Sequence, residues 1–157
     1  MCPERRHLIL QSPDETASLA QRIAPVLRPG DTILLSGGIG AGKTHFARSL
    51  IQKRLAVPED VPSPTFTLVQ TYETGTGEIW HADLYRLDGP QSIDELGLAE
   101  AFDTAICLVE WPDRLGDLAP EQALFVAFES GPVDEARSLE FTWTDPRWTS
   151  RIEGVLS

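Results

Sequence analysis

At 157 residues, 41% of them hydrophobic and 24% charged, the chain has the make-up of one soluble globular domain, long enough to bury a proper core. A net charge of −11, from 24 acids against 13 scattered bases, argues against an autonomous grip on RNA or DNA, which needs a basic face. No apolar run approaches the ~20 residues of a membrane span, and Met1 to His7 leads into only three apolar residues, Leu8 to Leu10, too few for a signal peptide. With only two cysteines and no export signal, the cytoplasm is the expected compartment, and Cys107, inside an apolar run, reads as a small core residue.

His7 to Gln11 reads as a short first strand. Ser12 to Glu15 then carries a helix start: Ser12 as N-cap, Pro13 at the first helical position, and Glu15 closing a capping box. Leu19, Ala20, Ile23 and Leu27 continue at helical spacing, with Pro25 kinking or ending the helix near Ala24. Pro29 and Gly30 stop it, and Asp31 to Ser36 reads as a buried strand.

The next eight residues, Gly37, Gly38, Ile39, Gly40, Ala41, Gly42, Lys43 and Thr44, fit the P-loop pattern G-x-x-x-x-G-K-[ST]. They lie between that strand and a helix over Lys43 to Leu55, which would bury Phe46, Leu50 and Ile51. The context is the one the chemistry requires. Glycines let the backbone fold tightly with successive N–H groups pointing inward, and the helix start adds the positive end of its dipole. In this arrangement Lys43 reaches the β- and γ-phosphates of a nucleoside triphosphate and the Thr44 hydroxyl ligates Mg²⁺. The acidic balance does not oppose such a ligand, because screening limits distant charges to about 8 Å at physiological salt.

Val57 to Pro64, with three prolines, must be a loop. Thr65 to Glu73 and Glu78 to Tyr85 read as strands joined by a turn at Thr74 to Gly77, hence a hairpin. Gln91 to Leu98 reads as a short helix, and Thr104 to Val109 as a strand covered on both faces. Gln122 to Glu129 and Arg137 to Thr144 are further strands, and Trp143 and Trp148 read as packing residues. No repeat, low-complexity tract or linker divides the chain. The fold class that follows is α/β and P-loop NTPase-like: a mostly parallel central sheet flanked by helices, with an added antiparallel hairpin.

Three constellations add chemistry. Ala105 to Glu110 is an apolar strand ending in a carboxylate, the second half of a P-loop site, where the acid meets Mg²⁺. Glu110 is longer than the usual Asp, which suits it to hold the metal through a water or to orient the attacking water. In His81 to Arg86, strand alternation puts His81, Asp83 and Tyr85 on one face. There Asp83 either positions water, or supports Mg²⁺ from outside its direct ligands, or is a structural strand-end acid, and His81 reads as a hydrogen-bonded structural histidine rather than a ligand. Ser63 to Phe66 is a rigid turn with two hydroxyls, placed either to sense the γ-phosphate or simply to start a strand.

Four motifs in this order and spacing, G-G-I-G-A-G-K-T, S-P-T-F-T-L-V, H-A-D-L-Y-R-L and C-L-V-E-W-P, closely resemble the bacterial TsaE (YjeE) family from about Leu10 to Trp111. With the length making residues 1–157 a single domain, the resemblance implies that it is a P-loop ATPase, the ATPase component for threonylcarbamoyl modification of adenosine in the anticodon loop of certain tRNAs. It implies ATP and Mg²⁺ as cofactors, with Lys43 and Thr44 on phosphate and metal and Glu110 completing the metal site. Asp83 would support turnover, Trp111 would lie beside the site, and the segment around Asp14 to Thr16 near the adenine. His45 departs from the pattern, where the family commonly has a second threonine; its backbone N–H still suits a phosphate. The implied partners are the TsaD and TsaB components, with tRNA reached only indirectly and no membrane involved.

From the chemistry alone, a P-loop small-molecule kinase is the rival reading, but it needs an arginine-bearing lid, and only Arg86 and Arg114 offer themselves. A GTPase would need a guanine-reading N-K-x-D-like segment, which the sequence lacks. A nucleotide-gated binding module with slow hydrolysis overlaps with the family reading.

Overall fold

Seven strands form one sheet in the structure, a computed structural model that describes residues 3–38, 42–55, 69–75, 77–85, 97–130 and 136–156. The strands are β1 (Glu4–Leu10), β2 (Thr32–Gly37), β3 (Val69–Thr74), β4 (Gly77–Asp83), β5 (Ile106–Glu110), β6 (Leu124–Ser130) and β7 (Arg137–Trp143), in spatial order β1-β7-β6-β2-β5-β4-β3. The middle four, β6, β2, β5 and β4, run parallel. The expected hairpin forms one edge, with β3 antiparallel to β4 and Thr74 opposite Gly77. The other edge holds a second antiparallel unit, β6-β7-β1, in which Leu8 faces Leu139. Such long-range pairing has no local sequence signal.

Four described helices are α1 (Pro13–Ile23), α2 (Lys43–Arg54), α3 (Leu98–Thr104) and α4 (Arg147–Leu156). At the start of α1 the Ser12 hydroxyl accepts from the Glu15 N–H at 3.3 Å, as the capping pattern requires. The reciprocal bond is shifted by one residue: the Glu15 carboxylate accepts from the Gln11 N–H at 3.2 Å, not from Ser12. Pro25 ends α1 at Ile23 and leaves a short 3₁₀ turn over Ala24–Val26. The expected helix at Gln91 to Leu98 lies outside the described residues except for its last two. Of these, Gly97 caps α3 in a left-handed conformation and Leu98 begins it. Thr104 therefore ends a helix instead of opening a strand; its hydroxyl donates to the Glu100 carbonyl, and β5 starts at Ile106.

Alternation along the central strands splits the core between two faces. On one, Ile33, Leu35, Leu108, Val126, Phe128 and Phe141 join Leu19 and Ile23 of α1, Phe46 and Leu50 of α2, and Trp148 and Ile152 of α4. On the other, Leu34, Ala82, Cys107 and Val109 meet Leu98 and Phe102 of α3 and Leu115. Full burial of each such large side chain is worth about 1.5–3 kcal/mol. Phe46 meets Phe128 edge-on with ring centroids 5.7 Å apart, which seats α2 on β6.

Helix α4, which the sequence reading left unassigned, is locked in place by polar bonds as well. The buried Asp31 carboxylate receives Arg147 at 3.1 Å, Arg151 at 2.6 Å and the Arg28 N–H at 2.7 Å. The Trp148 indole donates to the Gln122 carbonyl at 2.7 Å. No described helix is long and apolar enough to cross a membrane.

Cys107 lies in the middle of β5 with no exposed surface, and burial pushes its thiol from 9.0 up to about 12. Between those values the unfolded chain loses the proton and the folded chain keeps it, so stability falls as pH rises. The slope expected from this group is about 1.4 kcal/mol per pH unit. Urea unfolding of the wild type and of Cys107→Ala at about pH 8 and about pH 10 checks this. The substitution should remove the thiol's share of the alkaline loss, and equal losses in both proteins would contradict a buried thiol.

Candidate functional site

The carboxyl ends of β2, β5 and β4 lie side by side, the crest where parallel sheets receive ligands. β2 delivers Gly37, β5 delivers Glu110, and β4 delivers Asp83 in register with Glu110. Gly37 has φ 139°, and a Cβ there would come within 2.5 Å of the Phe128 carbonyl oxygen, so only glycine lets the chain leave β2 beside β6. Gly38 is exposed beyond the strand, while Ile39, Gly40 and Ala41 lie outside the described residues. Gly42, at φ 104°, caps α2 and has no side chain of its own to accept from the helix's first N–H groups. The first turn of α2 carries no acid, whereas α1 has Asp14 and Glu15 there. The positive end of α2 is therefore left for an external anion.

Lys43 turns back toward the end of β2. It is 4% exposed, its ammonium donates to the Gly37 carbonyl at 2.6 Å, and it lies 3.7 Å from the centroid of the Trp111 ring. Burial holds the ammonium below its ordinary pKa, and the carboxylates of Glu110, Asp83 and Asp113 act against that shift. Trp111 adopts the left-handed conformation at φ 60°, ψ 55°, a strained state for a bulky residue. That turn swings its indole over Lys43 and against the Tyr85 ring, 4.8 Å away between centroids. Tyr85 itself is exposed, and Arg114 donates to its carbonyl at 3.3 Å.

Thr44, one residue on, points at the end of β5. Its hydroxyl donates to Glu110 Oε1 at 2.7 Å, and the other carboxylate oxygen, Oε2, lies 2.7 Å from His81 Nε2. Glu110 is 2% exposed and His81 fully buried. A hydroxyl and a carboxylate this close form a hard oxygen pair of the kind that suits Mg²⁺, and the Glu110 carboxylate also acts on the Lys43 ammonium. Asp83 is nearly buried and accepts from the Tyr85 N–H at 3.1 Å. The exposed His45 ring instead bonds the Pro13 carbonyl at 2.9 Å, joining the start of α2 to the start of α1 next to Asp14 to Thr16.

The sequence-derived residues Gly37, Gly42, Lys43, Thr44, Asp83, Glu110 and Trp111 thus converge on one crest. Tyr85 leaves the His81–Asp83 face to pack on Trp111, because the chain has already turned out of β4. The Ser63 to Phe66 turn and Arg86 lie outside the described residues. Sequence reasoning missed the His81–Glu110 pair, which depends on β4 lying next to β5, and missed Asp113 as a third carboxylate acting on Lys43.

A family model described as the threonylcarbamoyl adenosine biosynthesis protein TsaE matches residues 10–139. The chain is 42% identical over 146 residues to the tRNA threonylcarbamoyladenosine biosynthesis protein TsaE of Rickettsia felis, covering 93% of this chain and 84% of that one. The protein of the same name from Bacillus subtilis is 34% identical, with 90% and 88% covered. Among solved structures, Bacillus subtilis YdiB superposes with a TM-score of 0.82 at 28% identity, over 99% of this chain and 97% of that one. The motifs on the crest, the sheet that carries them and these likenesses agree: the chain belongs to the TsaE family of threonylcarbamoyl adenosine biosynthesis proteins.

Proposed function

We propose that the protein is a Mg²⁺-dependent ATPase that serves threonylcarbamoyl modification of tRNA adenosine by acting on a TsaD/TsaB transfer complex. The observation that carries this reading is the 2.7 Å contact between Thr44 and Glu110, set beside the buried Lys43 ammonium at the start of α2. Loop amides and Lys43 bind the phosphates, Thr44 and Glu110 hold the metal, and Asp83, in register with Glu110, orients the attacking water. Mg²⁺, when bound, neutralises charge developing on the phosphate oxygens. The strained Trp111 turn roofs Lys43 and screens it from bulk water, which strengthens each charge contact beneath it.

The acidic surface suits a protein that works on a protein complex and leaves RNA to its partners. Phosphate release should therefore be slow for the isolated protein and rise at least about tenfold when TsaD and TsaB are added together, as expected when a partner completes or orders a site. Transfer of the γ-phosphate to an added small-molecule acceptor, with no stimulation by TsaD and TsaB, would identify a kinase instead.

A further inference from the structure

We infer that His81 is a positioning residue for Glu110: its Nε2 grips one carboxylate oxygen so that the other is held toward Thr44 and the metal. The inference rests on the proposed Mg²⁺-dependent reading of the site and names a residue which that reading does not use.

Glu110 ends β5, and its side chain carries several rotatable bonds between backbone and carboxylate. Unrestrained, it would sample rotamers that turn the carboxylate away from Thr44. Two bonds fix it instead, from the Thr44 hydroxyl to Oε1 and from His81 Nε2 to Oε2, each 2.7 Å long. The first comes from α2 and the second from β4, so the carboxylate is clamped between two elements across the crest. The Thr44 bond must loosen if that hydroxyl turns to a metal, whereas the His81 bond is made to the other carboxylate oxygen and can persist.

Among the described residues the His81 side chain has no other hydrogen-bond partner. Its Nδ1 is buried and unpaired among the described residues, an uncommon state for a fully buried ring nitrogen. A histidine kept only to fill space would leave two polar nitrogens needing partners where an apolar ring needs none. The imidazole therefore contributes through Nε2, which donates to the carboxylate. Partners that orient ligating groups in this way typically change metal affinity or activity by about 10–100-fold when removed.

Three substitutions test this. His81→Gln places an amide donor near the position of Nε2, His81→Asn stops short at the position of Nδ1, and His81→Phe fills the space without a donor. The readouts are Mg²⁺ titration of the complex with a fluorescent ATP analogue, affinity for that analogue without metal, phosphate release, and thermal unfolding. His81→Asn and His81→Phe should weaken Mg²⁺ affinity and lower kcat by about tenfold or more, with metal-free affinity within about twofold; His81→Gln should recover most of the loss.

Unchanged Mg²⁺ affinity in the Asn and Phe variants would overturn the inference. So would equal losses in all three, accompanied by lower unfolding temperatures and weaker metal-free binding, which would make His81 a fold residue. If His81→Phe does not fold, the contrast between Gln and Asn still decides. A wild-type protein showing no Mg²⁺-dependent nucleotide binding would instead sink the proposed function itself.

Discussion

Lys43→Ala should lower ATP affinity by roughly 100-fold or more while leaving the protein folded. The ammonium it removes is held at the start of α2, donating to the Gly37 carbonyl at 2.6 Å and roofed by the Trp111 indole. A triphosphate oxygen is a far better acceptor than that carbonyl, and charge-assisted bonds of this kind are worth about 1.5–3 kcal/mol each. Two of them account for the expected loss, at about 1.4 kcal/mol per tenfold. Burial lowers the pKa of this ammonium, and the nearby carboxylates of Glu110, Asp83 and Asp113 resist the shift. A partly desolvated cation among carboxylates is poised to gain when a polyanion arrives.

Lys43→Arg should not rescue binding, because the planar guanidinium is bulkier than the compact ammonium beneath Trp111. Calorimetric titration with ATP and Mg²⁺ reads both variants, alongside thermal unfolding to establish that they fold. Undiminished affinity in Lys43→Ala would refute the assignment of this loop to nucleotide.

The parts of this site that were legible in the sequence are those in which function resides in a contiguous stretch. The glycines from Gly37 to Gly42, followed by Lys43 and Thr44, state their own geometry, since a strand, a tight loop and a helix start must follow in that order. Ser12 and Pro13 likewise announce α1, and the apolar run to Val109 announces a strand buried on both faces. What could not be read are relations between distant segments. His81 and Glu110 meet only because β4 pairs with β5 in a register that places Asp83 opposite Glu110. Nothing near either residue encodes that register.

The C-terminal helix is a different kind of miss. Asp145 accepts from the Arg147 N–H at 2.9 Å, Pro146 precedes the first helical residue, and Trp148, Ile152 and Val155 recur at helical spacing on the buried side. That signal was present but short. Trp148, Ile152 and Val155 join the core shared with α1, and Asp31, far away in the chain, helps to hold the helix there. The left-handed turn at Trp111 had no local cue either: a bulky residue is among the least expected there, and only its contacts with Lys43 and Tyr85 explain it.

Glu110 offers the second large effect, and its interpretation depends on which substitution is made. Glu110→Ala should abolish most metal-dependent turnover, but it also strands the buried His81 Nε2, at a cost of about 1–3 kcal/mol, and takes the partner of the half-buried Thr44 hydroxyl. Loss of activity there could follow from a disturbed crest. Glu110→Gln keeps the shape and one acceptor oxygen, replacing the other by a donor. The amide oxygen can accept from His81 while the amide NH2 donates to the Thr44 hydroxyl, which accepts as readily as it donates, so both contacts can persist and the fold is spared most of the damage. It also removes the negative charge that a divalent cation needs. The expected result for Glu110→Gln is phosphate release reduced about 100-fold or more, the scale seen when a key electrostatic group is removed, with metal-free nucleotide affinity changed less than about tenfold. That affinity should hold because Lys43 and the start of α2 bind the phosphates independently of Glu110, and loss of a nearby negative charge favours a polyanion. Steady-state phosphate release across a Mg²⁺ titration, paired with metal-free binding, separates the two quantities. Normal hydrolysis in Glu110→Gln would take this carboxylate out of the metal site and leave Asp83, its neighbour across the strand pair, as the acid to test next.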